Sequence, residues 1–314
     1  MLTQDARLQR RLRHRRRVRR RRLIAFAVVL AAVGIGLFVG LGRGSGTAAN
    51  ESPAEKPKPK DGYRAVVVKS VAVPSRASVA LPATLPARTL HVPILMYHRI
   101  DALKPSLPAI TRSLTVAPAD FARQMAWLRA HGYHAITQAR LFGALEQGRN
   151  LPAKPVLITF DDGYRDVLKN AAPVLKRLGL PATAYVITSR ISNGDVSFLS
   201  WAQLHALEQS GVEIGSHTVH HAELPSLSDP MALQELIQSR RALEQHLHHP
   251  VQWFAYPAGK FNARSEELVR QAGYVLAVTT QPGSAQSARA PFALHRYEVL
   301  DTTGVGGLGA MLRG

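Results

Sequence analysis

The fold of this chain is decided by the stretch Val156-Leu157-Ile158-Thr159-Phe160-Asp161-Asp162-Gly163. Its first five residues are apolar or β-branched and predict a buried strand, and the glycine after the two carboxylates marks its end. Neighbouring residues that leave a strand point to different sides, so one aspartate can bind a metal while the other faces a substrate water. Asp-Asp-Gly is also a common turn and helix-cap sequence, so the functional interpretation needs support from the rest of the chain.

Strand-like and helix-like patterns alternate around this stretch from residue 92 onward. The alternation predicts a parallel sheet wrapped by helices, and about eight strands within about 220 residues favour a distorted (β/α)7-8 barrel of the α/β class. An open doubly wound sheet is the alternative, but the glycine-rich sequence that binds phosphate in such folds is absent. Strands are predicted at 94–97, 134–137, 155–160, 182–187, 212–216, 252–256, 274–279 and 293–299, and helices near 118–131, 138–148, 164–178, 200–210, 230–247 and 264–272.

A second motif, His217-Thr218-Val219-His220-His221, follows the predicted strand 212–216. His217 and His221 are four residues apart, which fits either one helical turn or a tight loop that delivers two imidazoles to one ion. With Asp162 they form the set of three protein ligands typical of a catalytic zinc site, whereas His220 is interpreted as a neighbour. The chain has no cysteine, so a zinc site must use histidine and carboxylate. Residues just past strand ends gather at one rim of a barrel, so both motifs are expected in one pocket.

Together these residues resemble one family, the polysaccharide deacetylases of carbohydrate esterase family 4 with a NodB-like domain. The family's first motif, Thr-Phe-Asp-Asp-Gly, is matched at 159–163, and its second, His-Ser/Thr-x-x-His, at 217–221. The similarity covers roughly residues 92–300. Segments 94–99 and 201–221 are similar to the branch that includes the poly-N-acetylglucosamine deacetylases of biofilms and other envelope enzymes.

The resemblance implies that Asp161 is the general base and that Asp162, His217 and His221 hold a divalent metal. Zinc is the expected ion, although cobalt, nickel and manganese tolerate the same donors. Such an ion lowers the pKa of a bound water and polarises the acetyl carbonyl. Asp161 would take the proton of the attacking water, and the oxyanion would be held by the metal and a backbone N–H.

A third segment, Phe254-Ala255-Tyr256-Pro257-Ala258-Gly259, corresponds to the family's Arg-Pro-Pro-Tyr-Gly-like loop. Ala255 stands where many members have arginine, so the residue that would orient the base is missing there. Ala258 stands in place of tyrosine, but its backbone N–H is still expected to serve as the oxyanion donor, because that role needs no side chain. Tyr256 and Pro257 are expected to contact substrate. An ordinary Pro-Gly turn is the alternative interpretation.

The late segment Ala293-Leu294-His295-Arg296 lies nearest to the family's Leu-x-Leu-His-Asp motif, whose histidine is the general acid. The aspartate of that motif is absent. We predict that Arg296 supplies the charge partner of Asp161, because the eighth strand of a closed barrel ends near the first. His295 is a candidate for the proton donor.

Two further residues are candidates for substrate contacts. His98 follows the first predicted strand and is expected at the same rim, with a packing role as the alternative. Trp201 could stack on a sugar ring, although aromatic residues at such positions often belong to the core.

The N-terminal part of the chain predicts a membrane anchor. Residues 1–22 contain eleven arginines and one aspartate, and they precede an uncharged segment, 23–41, whose nineteen residues are long enough to cross a bilayer. The positive-inside rule places 1–22 in the cytoplasm, and 42–90 is predicted as an extracytoplasmic linker before a deacetylase domain at 91–314. A cleaved secretory signal is the alternative, which would release the protein. The arginines have no accompanying nucleic-acid recognition element, so no nucleic-acid partner is expected.

The sequence therefore predicts a membrane-anchored, metal-dependent hydrolase that removes N-acetyl groups from N-acetylglucosamine-type residues of an envelope or exported polysaccharide. An O-acetyl esterase acting on acetylated xylan or peptidoglycan is the alternative within enzymes, since metal-assisted attack by water serves esters as well as amides. A non-catalytic glycan-binding protein is the alternative from another class. The particular glycan and the oligomeric state stay open.

Overall fold

The computed structural model describes residues 88–313 of the chain. Its strands are β1 (Thr89–His91), β2 (Ile94–Tyr97), β3 (Arg99–Ile100), β4 (Thr115–Val116), β5 (His134–Ala135), β6 (Pro155–Phe160), β7 (Ala182–Val186), β8 (Val212–Ser216), β9 (Trp253–Ala255), β10 (Leu276–Val278), β11 (Ala285–Ser287) and β12 (Tyr297–Glu298). Its helices are α1 (Ala109–Ser113), α2 (Pro118–Ala130), α3 (Gln138–Gln147), α4 (Ala172–Leu178), α5 (Thr188–Ser192), α6 (Trp201–Gln209), α7 (Asp229–Leu247), α8 (Ala263–Gln271) and α9 (Val305–Arg313).

A parallel sheet forms the centre of the fold. Its strands follow the order β10-β9-β8-β7-β6-β2-β12, and β5 pairs with β6 beside this row. All of these pairings are parallel, and a helix connects each strand to the next along most of the chain, as parallel pairing requires. The predicted parallel α/β sheet wrapped by helices is confirmed.

The sheet is curled, and one late segment links its two edges. Leu294 forms a parallel bridge with Val278 of the edge strand β10. Three residues later, Tyr297 of β12 pairs with Leu95 of β2. The chain between residues 294 and 298 therefore passes from one edge of the sheet to the other, which agrees with the distorted (β/α) architecture predicted from the sequence.

Alternate residues of the strands fill two apolar clusters. Ile94 and Leu157 belong to one cluster, together with Tyr185 and residues of β9 and β10. Their neighbours Leu95 and Ile158 belong to another, which includes apolar residues of helices α2, α4 and α6. Because both faces of the sheet are covered, the strands read as continuous apolar runs, which is the pattern that marked β6 in the sequence.

Several helix ends follow signals that are visible in the sequence. Pro118 occupies the first turn of α2, and Gly179 ends α4 in a left-handed conformation with φ of 63°. Ser200 and Asn262 begin α6 and α8 with capping boxes. The predicted helix at 164–178 is divided, because a π-helical turn at Val167–Ala171 precedes α4.

The predicted N-terminal segments lie almost entirely outside the described residues. This applies to the basic segment 1–22, to the span 23–41 and to the linker 42–90 as far as residue 87. Thr89 and Leu90, at the end of the predicted linker, pair with β11 in an antiparallel ladder. Between residues 88 and 313, no helix combines the length and the apolar character needed to cross a bilayer.

Candidate active site

Three predicted metal ligands meet at the carboxyl ends of β6 and β8. Oδ1 of Asp162 lies 3.5 Å from Nε2 of His217 and 3.7 Å from Nε2 of His221. One ligand atom from each residue lies within 4.8 Å of the others. Ligands bound tetrahedrally at about 2.1 Å from a zinc ion are about 3.4 Å apart, so these donors fit one ion with little movement.

The ring of His217 is held in the orientation that a metal ligand needs. The side chain is buried, and its Nδ1 lies 2.8 Å from the backbone carbonyl oxygen of Ala255. Because Nδ1 donates to that carbonyl, the lone pair stays on Nε2, which faces Asp162. Burial lowers the pKa of His217 from its ordinary value, against the opposing charges of Asp161 and Asp162. The imidazole is therefore kept neutral, as a ligand requires.

His221 arrives on a tight loop rather than on a helical turn. Thr218 and His221 have φ values of 66° and 61°, and Asp162 has a φ of 74°. Left-handed conformations of residues other than glycine each cost on the order of 1 kcal/mol, and they gather where the surrounding structure enforces them. Three such residues at one site indicate that the surrounding structure holds the backbone in a locally unfavourable conformation, which brings the three donors together.

Glu235 of α7 fixes this loop, although no motif in the sequence predicts that role. Its Oε2 accepts hydrogen bonds from the backbone N–H groups of Val219 (3.0 Å) and His220 (2.9 Å). Its Oε1 lies 2.7 Å from Nδ1 of His220. The exposed ring of His220 is thus paired with Glu235 and is not one of the three converging donors. Thirteen residues lie between the histidine motif and Glu235, and nothing in that spacing predicts the contact.

Asp161 is buried and held by Arg296. Nη1 and Nη2 of Arg296 donate to Oδ1 (2.7 Å) and Oδ2 (2.6 Å) of the carboxylate. The guanidinium also donates to the backbone oxygen of Thr279 (2.8 Å) and to Oγ1 of Thr159 (3.1 Å), so its orientation is fixed. Burial raises the pKa of Asp161, but the charge and hydrogen bonds of Arg296 outweigh this effect and hold the pKa at about 2.

His98 lies near the same carboxylate. The residue is half-buried and follows Tyr97, whose carbonyl accepts a hydrogen bond from the N–H of Asp161 (2.9 Å). Its Nδ1 is buried and has no hydrogen-bond partner among the described residues. A buried polar atom without a partner is uncommon and marks a place where a ligand or water completes the bonding.

The loop after β9 presents a backbone donor. Pro257–Gly259 form a short 3-10 turn in which Ala258 has φ of 51° and is exposed. The N–H groups of Gly259 and Lys260 are used within the turn. The N–H of Ala258 donates to no backbone carbonyl between residues 88 and 313, so it is available for a ligand.

Two predicted substrate contacts have to be corrected. Tyr256 is fully buried, with its ring 5.1 Å from that of Phe254 and 5.2 Å from that of Phe261. Pro257 is buried as well. Their side chains pack under the loop, so neither offers a surface to a sugar.

The structure places two other candidates away from Asp161. The ring of Trp201 stacks on His246 at 3.8 Å and packs against the core. The ring of His295 lies against Gly283, and its backbone N–H and carbonyl are both bonded to Gln286. Arg296 turns toward Asp161 while His295 faces the other way, as neighbours in an extended segment do.

Comparisons with known proteins agree with this site. The family profile described as polysaccharide deacetylase matches residues 148–277, which include both ligand motifs. YxkH of Bacillus subtilis (strain 168), whose name assigns it to the polysaccharide deacetylases, is 33% identical over 247 residues, 78% of this chain and 84% of that protein. The poly-beta-1,6-N-acetyl-D-glucosamine N-deacetylase of Staphylococcus aureus (strain MSSA476) is 24% identical over 174 residues, 52% of this chain and 60% of that protein.

A solved structure shows the same architecture. The Streptococcus pyogenes deacetylase PplD, determined in complex with acetate, superposes with a TM-score of 0.67 at 29% identity. The superposition covers 72% of this chain and 99% of that one. The fold, the two motifs and the similarity to YxkH lead to one conclusion: this chain belongs to the polysaccharide deacetylase family.

Proposed function

We propose that this protein is a metal-dependent deacetylase that removes N-acetyl groups from N-acetylglucosamine-type residues of an envelope or exported polysaccharide. The observation that carries the proposal is the cluster of Asp162, His217 and His221 beside the buried carboxylate of Asp161. A purely glycan-binding protein has no use for three converging metal donors next to an ionised aspartate. The S. aureus relative is named for an N-deacetylase of a related amino-sugar polymer.

Asp162, His217 and His221 would hold the metal, and zinc suits a site with two imidazoles and one carboxylate. When bound, a divalent ion supplies Lewis-acid polarisation of the acetyl carbonyl and makes a coordinated water more acidic. The low pKa of Asp161 keeps it ionised at neutral pH, so its carboxylate is ready to accept the proton of the attacking water.

Two other groups have places in the same reaction. The free N–H of Ala258 would donate to the oxyanion that forms when the carbonyl is attacked. We assign the role of proton donor to His98 rather than to His295. His98 follows Tyr97, whose carbonyl accepts a hydrogen bond from the N–H of Asp161 (2.9 Å), and its buried Nδ1 has no partner among the described residues, whereas the ring of His295 lies against Gly283. A donor at this position would protonate the nitrogen as the acetyl group leaves.

Acetate release from a neutral N-acetylglucosamine oligomer tests the proposal. We expect the full-length protein to release acetate, to lose this activity with a chelator and to regain it with zinc. Asp161→Asn should abolish turnover and leave the bound metal in place. Release from acetylated xylan alone would establish the O-acetyl esterase instead, and binding of both glycans without release would establish a glycan-binding protein.

We also propose that the deacetylase domain lies outside the cytoplasm, anchored by residues 23–41. The support is the dense arginine block beside an uncharged span and the extracellular location of envelope polysaccharides. Protease treatment of intact spheroplasts should digest the domain while a tag at the N-terminus stays protected. Recovery of the domain in the medium would indicate cleavage of the signal instead.

A further inference from the structure

Four side chains form a continuous stack at the rim of the active site. The ring of Tyr164 lies 4.7 Å from that of Phe198, and the two planes are 21° apart. Arg99 covers the Tyr164 ring at 4.8 Å, and Arg190 covers the Phe198 ring at 5.3 Å. Each ring of the stacked pair is therefore contacted by one guanidinium.

This stack lies beside the metal ligands. Tyr164 comes directly after the Asp161-Asp162-Gly163 motif. Arg190 lies in α5, whose first turn is bonded to the histidine loop: the N–H of Thr188 donates to the carbonyl of Thr218 (3.3 Å), and that of Ser189 donates to Val219 (3.0 Å).

The two arginines of the stack differ in their partners. Nε of Arg99 donates to Asp166 at 2.9 Å, and its Nη2 lies 3.4 Å from Asp101. Asp166 is itself fixed by the N–H of Ile100, so Arg99 is a neutralised part of the framework.

Arg190 has no such partner. It is exposed, and no carboxylate between residues 88 and 313 pairs with it. Asp195, in the loop that follows α5, accepts a hydrogen bond from the N–H of Ser197. The guanidinium of Arg190 lies over the Phe198 ring, and its N–H groups have no hydrogen-bond acceptor among residues 88–313.

We propose that Arg190 binds an anionic substituent, a carboxylate or a phosphate, on the glycan whose acetyl group is removed at the neighbouring metal ligands. A planar guanidinium with free edges matches the two oxygens of either group, and stacking on an aromatic ring reduces the entropy lost on binding. The inference rests on the proposed function and narrows its substrate class to acidic amino-sugar glycans. If Arg190 were only solvated and bound no anion, its replacement would have the same effect on KM for charged and for neutral glycans.

Three oligosaccharides of equal length test this inference: neutral N-acetylglucosamine, N-acetylglucosamine alternating with N-acetylmuramic acid, and N-acetylglucosamine carrying 6-phosphate. Acetate release is measured with the full-length wild type, Arg190→Gln and Arg177→Gln. Arg177 is an exposed arginine at the end of α4, so its substitution removes the same charge at the opposite end of the fold.

We expect Arg190→Gln to raise KM for one of the charged glycans by about tenfold or more. Its kcat and its KM for the neutral glycan should change less than about twofold, and Arg177→Gln should match the wild type throughout. The charged glycan that responds identifies carboxylate or phosphate as the ligand. Equal effects on all three glycans would show a structural role for Arg190, and no effect would show a solvated side chain; either result overturns the inference.

Calorimetric titration of the same glycans separates this inference from the proposed function. If the wild type binds a charged glycan more tightly than Arg190→Gln does but releases no acetate, the anion site stands and the deacetylase proposal fails. If acetate is released from all three glycans with equal efficiency by both proteins, the deacetylase proposal stands and the anion site fails.

Discussion

Asp161 and Arg296 depend on each other for their burial. Arg296 is 0% exposed and Asp161 is 2% exposed, and an isolated charge at either position would cost several kcal/mol in lost hydration. The bidentate contact and the further bonds of Arg296 to Thr159 and Thr279 offset that cost. The buried carboxylate therefore needs a cation beside it, and Arg296 supplies one although the loop after β9 contains no arginine.

Replacing Arg296 should change the chemistry of Asp161. In Arg296→Met the carboxylate stays buried without a cation, so we expect kcat/KM to fall by about a hundredfold. The acidic limb of the pH profile should move to higher pH, because burial still raises the pKa of Asp161 while the lowering effect of Arg296 is gone. Arg296→Lys keeps the positive charge but cannot make the bidentate contact, so its kcat/KM should fall less than that of Arg296→Met.

Arg289→Met provides the control for this prediction, since Arg289 is exposed next to β11 and should change neither kcat/KM nor the pH profile. A fall in activity of Arg296→Met with an unmoved acidic limb would assign Arg296 to folding alone.

The pH dependence of the free energy of unfolding should also reveal the interaction between Asp161 and Arg296. The pKa of Asp161 is about 2 in the folded protein against an ordinary value of 3.8, so its contribution to the free energy of unfolding is complete above 3.8 and is lost as the pH falls toward 2. In Arg296→Met the folded pKa lies higher, and this contribution disappears. Urea unfolding at a series of pH values should show a gap between the two proteins that is widest near pH 7 and narrows below pH 4. A gap independent of pH would contradict the assignment.

At the scale of elements, the site depends on the loop His217–His221, whose conformation is stabilised by a side chain from another element. Two residues of the segment His217–His221 are left-handed, Thr218 and His221. The N–H groups of Val219 and His220 would lie unsatisfied without the carboxylate of Glu235. Helix α7 thus acts as the support that keeps His221 within reach of Asp162. Such outer partners orient the ligands of metal sites and are part of their affinity.

Glu235→Gln should weaken metal binding. The amide keeps the size of the side chain but can no longer accept three hydrogen bonds with a full charge, so we expect the dissociation constant for zinc to rise by about 10- to 100-fold. Competition with a chromophoric chelator measures this constant. Glu267→Gln, an exposed change on α8 that affects only its contacts with Arg270 and Gln271, should leave it unchanged. Equal affinities of the two variants would show that the loop is rigid without Glu235.

The sequence was sufficient for features that lie within one short segment. The ligand motifs and the strands β2, β6 and β8 have local patterns, and the structure has all three strands at their predicted bounds. The burial of Tyr256 cannot be predicted from the sequence, because β9 before it has only three residues, too few for alternation to show which side faces the core. Strands of two residues such as β3 and β4 carry no periodicity, and the contact of Glu235 arises only from tertiary packing.

For the whole molecule, closure of the curled sheet is what assembles the site. Arg296 and Asp161 are 135 positions apart in sequence, and they meet because the segment 294–298 crosses from β10 to β2. The prediction that Arg296 would reach Asp161 used this topology rather than any local motif. The three candidate metal donors likewise come from the ends of two strands with β7 between them, so an ion bound there would tie three neighbouring βα units together.

Metal binding should therefore stabilise the folded domain as a whole. The three donors converge only in the folded chain, so an ion at a hundred times its dissociation constant adds about 2.7 kcal/mol to the free energy of unfolding. For a domain of this size we expect the melting temperature to rise by about 5 to 10 °C when zinc is added after chelation. Asp162→Asn removes the only anionic donor of the cluster and should abolish most of the rise. Asp195→Asn, a substitution in the loop after α5, should keep it in full, and a rise of the same size in both variants would place the ion elsewhere.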